Sequence, residues 1–397
     1  MKNLFITGGT GFVGKAVLAR LLDSSEFDRI YLLVRPGRET SADARLHDLV
    51  GRIFPKSRVA EVLTKVQAVA GDLTESGLGL SAADRRELVA NIHQILHVGA
   101  STDFGSPIEE SRKYNVTGTY RVLELAMECK RAGVFSRFDY VSTAFVAGLG
   151  DGEVMETDLV RGQRFANPYE QSKCEAETLV RDYMKNLDIV VHRPSIIVGD
   201  SISGFTPHFK VLYWPLRVMS KNLIPFVACN LAARLDVVPV DFVANGIIAI
   251  MLSDDAVGKT FHLTSGKGGE VNIRTLLQDA TRYASIKPKP TIPMWVFNTL
   301  RHTPLRRLFS DEFWQAVLIA EPYMAYLRGH SPRFNAKFSH EFLAARGIHP
   351  PKWDSYKKEV LSFCRLSHWG RRMPMAEYIY YLPAVKDNGP NGLPVQA

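Results

Sequence analysis

The chain of 397 residues is 23% charged and 46% apolar, with 49 Lys and Arg against 41 Asp and Glu and a formal net charge of +8. Those fractions belong to a soluble globular protein long enough to bury a real core in one large domain or two. Its four cysteines lie far apart without a CxxC pair, against a zinc site or a disulfide framework; no long uncharged apolar run suits a membrane span, and no basic patch interleaved with aromatics suits nucleic acid.

Met1-Lys2-Asn3 leads straight into the apolar run Leu4-Phe5-Ile6, so no signal peptide is expected and the expected location is cytoplasmic. Thr7 to Gly14, Thr-Gly-Gly-Thr-Gly-Phe-Val-Gly, follows that run. An amphipathic segment comes next, with Val13, Val17, Leu18, Leu21 and Leu22 on one face. A buried strand, a glycine turn and a helix in this order make a dinucleotide cradle. Gly8 permits the sharp turn, Gly11 lets a pyrophosphate approach, and Gly14 lets helix and strand pack closely. The phosphates would sit on the free N–H groups and positive end of the helix. Thr7, Gly8, Thr10, Gly11, Phe12, Val13 and Gly14 are therefore candidate cofactor contacts.

Arg29 to Val34 reads as the second strand, ending at Arg35, the position that faces the adenosine ribose. An acid there would hold a 2′-hydroxyl, whereas an arginine can pair with a 2′-phosphate, so Arg35 favours NADP over NAD. A helical insert spans about Ser41 to Leu63, and Val66 to Ala70 is strand three. Behind it, Asp72 can accept from the adenine amino group while Leu73 covers the ring. Gln94 to Val98 is strand four, and the small residues Gly99 and Ala100 at its carboxyl end leave room for a ribose or nicotinamide. Pro107 starts a long helix to Lys130, in which Asn115 and Gly118 are poor helix formers that mark a kink or a packing contact. Phe138 to Val141 is strand five, with Ser142-Thr143 at its end. Strand and helix alternating this way predict an α/β fold, a doubly wound parallel Rossmann sheet covered on both faces.

Asn167-Pro168 is a cap and a first-turn proline for a helix carrying Tyr169 and Lys173. Four residues apart, both project from one helical face. A phenol, with a solution pKa of about 10, is a reluctant proton donor at neutral pH, and a neighbouring ammonium favours the phenolate. The lysine can also grip ribose hydroxyls, and Thr143, or alternatively Ser142, would hydrogen-bond a reacting carbonyl oxygen. Taken alone, Tyr-x-x-x-Lys is an ordinary surface pair; the glycine loop and the Ser-Thr strand end turn it into a hydride-transfer site.

Thr7-Gly8-x-x-Gly11-x-x-Gly14, Ser142-Thr143 and Tyr169-x-x-x-Lys173 together resemble an extended short-chain dehydrogenase/reductase. Several phrases are similar to its thioester reductase and fatty acyl-CoA reductase branch: Leu32 to Pro36, Ala70 to Thr74, His97 to Phe104, Asn115 to Thr119, Val141 to Phe145 and His192 to Ile196. The resemblance covers about residues 1 to 265 and implies NADPH-dependent reduction of an acyl thioester, on CoA or a carrier protein, to an aldehyde and on to an alcohol if the aldehyde stays bound. It implies Tyr169 as proton donor, Lys173 as ribose ligand, Thr143 or Ser142 as oxyanion contact and Asn115 as a fourth member of the relay. The alternatives are a nucleotide-sugar epimerase or dehydratase or hydroxysteroid-type dehydrogenase of the same fold, and a regulator that senses NADP without turning it over.

Ile189 to Arg193 is strand six, and Pro194 leaves it toward the substrate side as a further cofactor contact. Residues 1–265 thus form the expected NADP-binding domain, with 200–235 contributing a substrate lid and 266–397 a mostly helical substrate-binding and carboxyl-terminal region. Phe205 to Ala228 is apolar but broken by Pro207, Pro215 and Pro225. A lid, a membrane-surface element or a subdomain core all have this composition, and an acyl-chain tunnel is the functional reading. Asp236 to Asp241 and Phe261-His262-Leu263 return to the cofactor domain. Pro293 to Leu308 is basic and amphipathic, a solvated helix with one buried side or a peripheral membrane contact. Pro350 to Trp353 and Tyr356 faintly resemble the carboxyl-terminal module of fatty acyl-CoA reductases, and the tail after Met373 is expected to wrap the surface or fray. His192, His208 and His262 have no metal-ligand spacing, so no metal is assigned, and the oligomeric state is open.

Overall fold

The structure, a computed structural model, describes residues 2–329 and 332–373, so the tail after Met373 lies outside the described residues. Among the described residues the central sheet has seven strands. They are β1 (Asn3–Thr7), β2 (Arg29–Val34), β3 (Val66–Ala70), β4 (Gln94–His97), β5 (Arg137–Val141), β6 (Ile189–Pro194) and β7 (Thr260–Leu263). All pair in parallel, in the order β7-β6-β5-β4-β1-β2-β3. The near-continuous apolar runs of these strands suit a sheet buried on both faces. Alternation divides their side chains: Leu4 and Ile6 enter one apolar cluster, while Phe5, Ile95, Phe138 and Tyr140 enter the other. From β1 the chain winds one way to β2 and β3 and the other way to β4, so a crevice opens at the strands' carboxyl ends between β1 and β4. The expected α/β doubly wound parallel sheet is what the chain forms.

Crossover helices cover the sheet: α1 (Phe12–Asp23), α2 (Ala42–Ile53), α3 (Lys56–Lys65), α4 (Ala82–Asn91), α5 (Ile108–Arg112), α6 (Gly118–Ala132) and α7 (Pro168–Tyr183). The insert expected as one helical stretch is two helices, because Pro55 cannot continue α2 and instead caps α3. The helix expected from Pro107 onward is interrupted by one wide π turn, Lys113–Thr117, between α5 and α6. Asn115 sits in that turn, and Gly118 just after it packs so closely on Leu73 that a Cβ would lie 3.2 Å from the leucine's own. A helical irregularity and a packing contact are thus both present.

Beyond β6 the chain is mostly helical: α8 (Tyr213–Ser220), α9 (Val240–Met251), α10 (Ile273–Tyr283), α11 (Met294–His302), α12 (Asp311–Arg328), α13 (Lys337–Ala344) and α14 (Trp353–Leu366). Most of these helices share the sheet's apolar core, in which Leu4 and Val17 join Tyr326, Tyr356 and Phe363, while Phe297 of α11 packs with Phe313, Val317 and Met324 of α12 in a separate cluster. Polar links pin them down: the Trp353 indole donates to Asp279 at 2.9 Å and the Tyr356 hydroxyl donates to the Val237 carbonyl at 3.0 Å. All four cysteines are buried. Among the described residues no helix is long and apolar enough to cross a membrane, and no group of three or more His, Cys, Asp or Glu could hold a metal.

Candidate active site

The glycine loop turns sharply because Gly8 takes φ +75°, and a Cβ there would lie 2.4 Å from the Gly99 nitrogen. A Cβ at Gly14 would lie 2.1 Å from the Gly8 carbonyl oxygen, so α1 packs directly on the loop. Gly11 caps α1 without a side-chain hydrogen bond, which leaves the first-turn N–H groups to a ligand. This backbone fits a dinucleotide pyrophosphate.

A cleft of about 490 Å³ starts at this loop and runs along the crevice between β1 and β4. Gly8, Thr10, Gly11, Phe12, Val13, Gly14, Arg35, Asp72, Leu73, Gly99, Ala100 and Pro194 line it, as do Ser142, Thr143, Tyr169 and Lys173. Two sequence-derived residues lie behind its wall. Thr7 is buried, its hydroxyl on the His97 imidazole at 2.5 Å. Asn115 is buried too: its amide donates to Ser101 O at 3.1 Å and Ser172 Oγ at 2.9 Å, while its Oδ1 accepts from Ser101 N at 2.8 Å. It ties the loop after β4 to α7.

At the adenosine end the Arg35 guanidinium stands 3.6 Å from the Asp72 carboxylate and is largely exposed. Arg45, on α2, donates to the Arg35 carbonyl and also lines the cleft, a contact the sequence reading passed over. Asp72 also accepts from the Thr74 backbone and hydroxyl at 2.8 and 2.9 Å. Burial would raise its pKa, but those bonds and Arg35 outweigh it and hold the carboxyl below its usual value.

At the other end Tyr169 stacks on Phe104, ring centroids 5.4 Å apart, and Phe145 meets Tyr326 edge to face at 5.3 Å. Burial pushes the Tyr169 phenol up to about 12, with the Thr143 hydroxyl working against the rise and Glu170 adding to it. Lys173 moves the opposite way: burial pulls it down to about 7, against the pull of Glu177. This corrects the expectation that the ammonium lowers the phenol, because the amine is aimed elsewhere. Lys173 Nζ donates to Tyr140 Oη at 2.7 Å and to the Val141 carbonyl at 2.8 Å. Thr143 Oγ1 lies 3.4 Å from the Pro194 carbonyl and meets Tyr169. The Ser142 hydroxyl donates to Glu177 Oε2 at 2.7 Å, so its proton is committed away from the cleft and Thr143 is the better placed of the two alternatives.

Several site residues came from no motif. Glu177, buried and 2.6 Å from the buried Arg193 guanidinium, fastens α7 to β6. Its spacing was a usable signal, since Tyr169, Lys173 and Glu177 are successive i, i+4 positions on one face. From α12, Tyr326 donates to Glu170 Oε1 at 2.5 Å and accepts from the Asn167 amide at 3.2 Å, closing the start of α7. Burial pushes the Glu170 carboxyl up to about 7 despite hydrogen bonds from Tyr326, Ala166 and Asn167.

Behind Tyr326 the cleft wall continues into apolar space. Ile196, Val211 and Tyr326 also border a gap of about 30 Å³. That gap shares Pro215, Met219 and Tyr323 with a cavity of about 70 Å³ walled by Phe226, Phe297, Phe313 and Met324.

A family model described as Male sterility protein matches residues 6–247. The chain is 26% identical over 278 residues to the fatty acyl-CoA reductase wat of Drosophila melanogaster, a match covering 62% of this chain and 53% of that protein, so the chain spans about half that relative's length. Among solved structures, the terminal R domain of the myxalamid PKS-NRPS biosynthetic pathway has a TM-score of 0.76 and 24% identity, covering 95% of this chain and 93% of that one. UDP-glucuronic acid 4-epimerase from Bacillus cereus, in complex with NAD, has a TM-score of 0.62 and 16% identity over 94% and 98%. At these identities both structural likenesses are likenesses of fold.

Proposed function

Because the chain belongs to the Male sterility protein family, an oxidoreductase family with a nicotinamide-nucleotide fold, we propose that it is an NADPH-dependent reductase of acyl thioesters. The acyl group would be carried on coenzyme A or on an acyl-carrier protein, and the product would be the aldehyde. A second reduction of a retained aldehyde would give the alcohol. The observation that carries this reading is one cleft running from the glycine loop to Tyr169, Lys173 and Thr143, backed there by aromatic and apolar walls. The fatty acyl-CoA reductase relative supports the substrate class. Arg35 and Arg45, both lining the adenosine end, support a 2′-phosphate and hence NADPH.

A reduced nicotinamide bound in the cleft would supply a hydride to the thioester carbonyl carbon. The Thr143 hydroxyl and Tyr169 phenol would stabilise the charge that develops on the carbonyl oxygen, and Tyr169 would give it a proton; collapse of the hemithioacetal would then break the C–S bond, the proton leaving with the sulfur as the free thiol and the carbonyl re-forming as the aldehyde. Two of the three Lys173 N–H groups are held by Tyr140 and Val141. The third is left for the nicotinamide ribose. Phe104, Phe145 and Tyr326 keep water from the reacting carbon, and the gaps behind Tyr326 take the acyl chain once Tyr326 and Tyr323 yield. Exposed Trp295, Leu305 and Leu308, with Arg306 and Arg307, support a peripheral lipid contact near α11.

NADPH oxidation with palmitoyl-CoA, beside the same assay with a nucleotide sugar and with NADH, tests the proposal. Turnover is expected with the thioester and NADPH, and Tyr169→Phe is expected to lower kcat about 100-fold or more. Conversion of the sugar would give the site to the epimerase reading. Cofactor binding with no rate on any thioester would give it to a sensor.

A further inference from the structure

A polar seam runs inside the otherwise apolar face of the sheet, from the glycine loop to the lysine. Thr7 on β1 meets His97 Nδ1 on β4 at 2.5 Å, and His97 Nε2 meets Thr119 Oγ1 on α6 at 2.9 Å. On β5 the Tyr140 Oη accepts from Lys173 Nζ on α7 at 2.7 Å. Thr7, His97, Thr119, Tyr140 and Lys173 are all at most 2% exposed.

Counting protons fixes the direction of the bonds on both sides of His97. Thr119 spends its one hydroxyl proton on the Asn115 carbonyl of the π turn, at 2.6 Å. It can therefore only accept from His97, which carries its proton on Nε2 and accepts at Nδ1 from the Thr7 hydroxyl. Burial pulls His97 down to about 3, with Lys173 assisting, so the ring stays neutral. At the far end the Tyr140 oxygen faces the Lys173 amine and accepts from it.

We propose that Tyr140 is a positioning residue for Lys173: its hydroxyl, with the Val141 carbonyl, holds the amine as a donor with its third N–H directed into the cleft. This rests on the assignment of Lys173 to the nicotinamide ribose made above. The ring contributes too, with Lys173 Nζ 4.2 Å from its centroid. Other titratable groups face the same amine. They are Glu177 on its own helix, His97 on β4, and Arg193 on β6, which reaches it through Glu177. None of them supplies an acceptor lone pair at Nζ within hydrogen-bond reach; Tyr140 and the Val141 carbonyl do.

Tyr140→Phe keeps the ring and its packing and deletes the acceptor. In NADPH oxidation with palmitoyl-CoA, its kcat at pH 8 is expected to fall about tenfold, while KM for the thioester changes less than threefold. The basic limb of the kcat profile is expected to move about one pH unit toward acid, since the amine loses a partner that favours its charged form. NADPH binding by fluorescence titration from pH 6 to 9 reads the same amine without turnover, and its pH dependence is expected to shift acidward in Tyr140→Phe. An unchanged limb and an unchanged binding profile in a folded Tyr140→Phe protein would overturn the proposal. If the wild type binds NADPH but oxidises it with no thioester, the reductase reading fails while the binding profile still decides the role of Tyr140.

Discussion

Tyr169 and Glu170 are adjacent in sequence, and burial raises both, one to about 12 and the other to about 7. For Glu170 the shift has a consequence for stability. The folded protein holds this proton up to about pH 7, whereas an unfolded glutamate releases it near 4.5. Between those values the native state binds more protons, so Glu170 contributes stability that is complete below about 4.5 and lost as pH rises through 7. Glu170→Gln is expected to flatten the melting-temperature profile across that window, where the wild type should lose roughly 3 kcal/mol. Matching slopes in thermal unfolding from pH 4.5 to 7.5 would refute it. Some of this site was readable in advance: Tyr169, Lys173 and Glu177 repeat every four residues, and helical geometry aligns them without further information. Tyr140 and Tyr326 were not, because a strand 33 residues upstream of Lys173 and a helix 156 residues downstream of Glu170 bring them there. The direction of the phenol's shift was also misread, since spacing says that an amine is near but not which acceptors it faces.

At the scale of elements, the strand–glycine turn–helix unit makes separable demands. Gly8 is left-handed and pressed on Gly99, whereas a Cβ at Gly11 would meet only the Gly8 oxygen, at 3.2 Å. Gly8→Ala is thus expected to cost about 1–2 kcal/mol in backbone strain alone and to weaken NADPH binding at least tenfold. Gly11→Ala should keep most of the stability and lose the affinity, since its methyl stands where the pyrophosphate comes closest. Melting curves and NADPH titration on the two variants check the contrast, and equal losses of stability would contradict it. The strands of the parallel sheet were legible almost to the residue because burial on both faces makes each a compact apolar run. The break at Pro55 was equally legible in principle, as proline ends a helix wherever it lacks a first-turn place. The π turn was legible only as an irregularity, for Asn115 and Gly118 announce a poor helix without saying which carbonyl is freed.

Across the whole molecule, the carboxyl-terminal helices are stitched to the sheet rather than appended. Ser339 on α13 donates from its backbone to Glu156 at 2.9 Å and from its hydroxyl to the same oxygen, and it accepts from the His262 backbone on β7 at 2.8 Å. These joins were out of reach of pattern reading, since sequence periodicity reports a buried face but not its partner. The same packing encloses every thiol in the chain. Burial pushes Cys129 up to about 12 and Cys174 and Cys229 to about 11, and raises Cys364 as well. A thiolate is the form that attacks a disulfide dye, so the native protein should be silent toward Ellman's reagent and yield four equivalents only when denatured. On the proposed function, any coenzyme A set free from its thioester would then colour the solution against a blank background, and prompt staining of the native protein alone would show that its interior is more open than its packing implies.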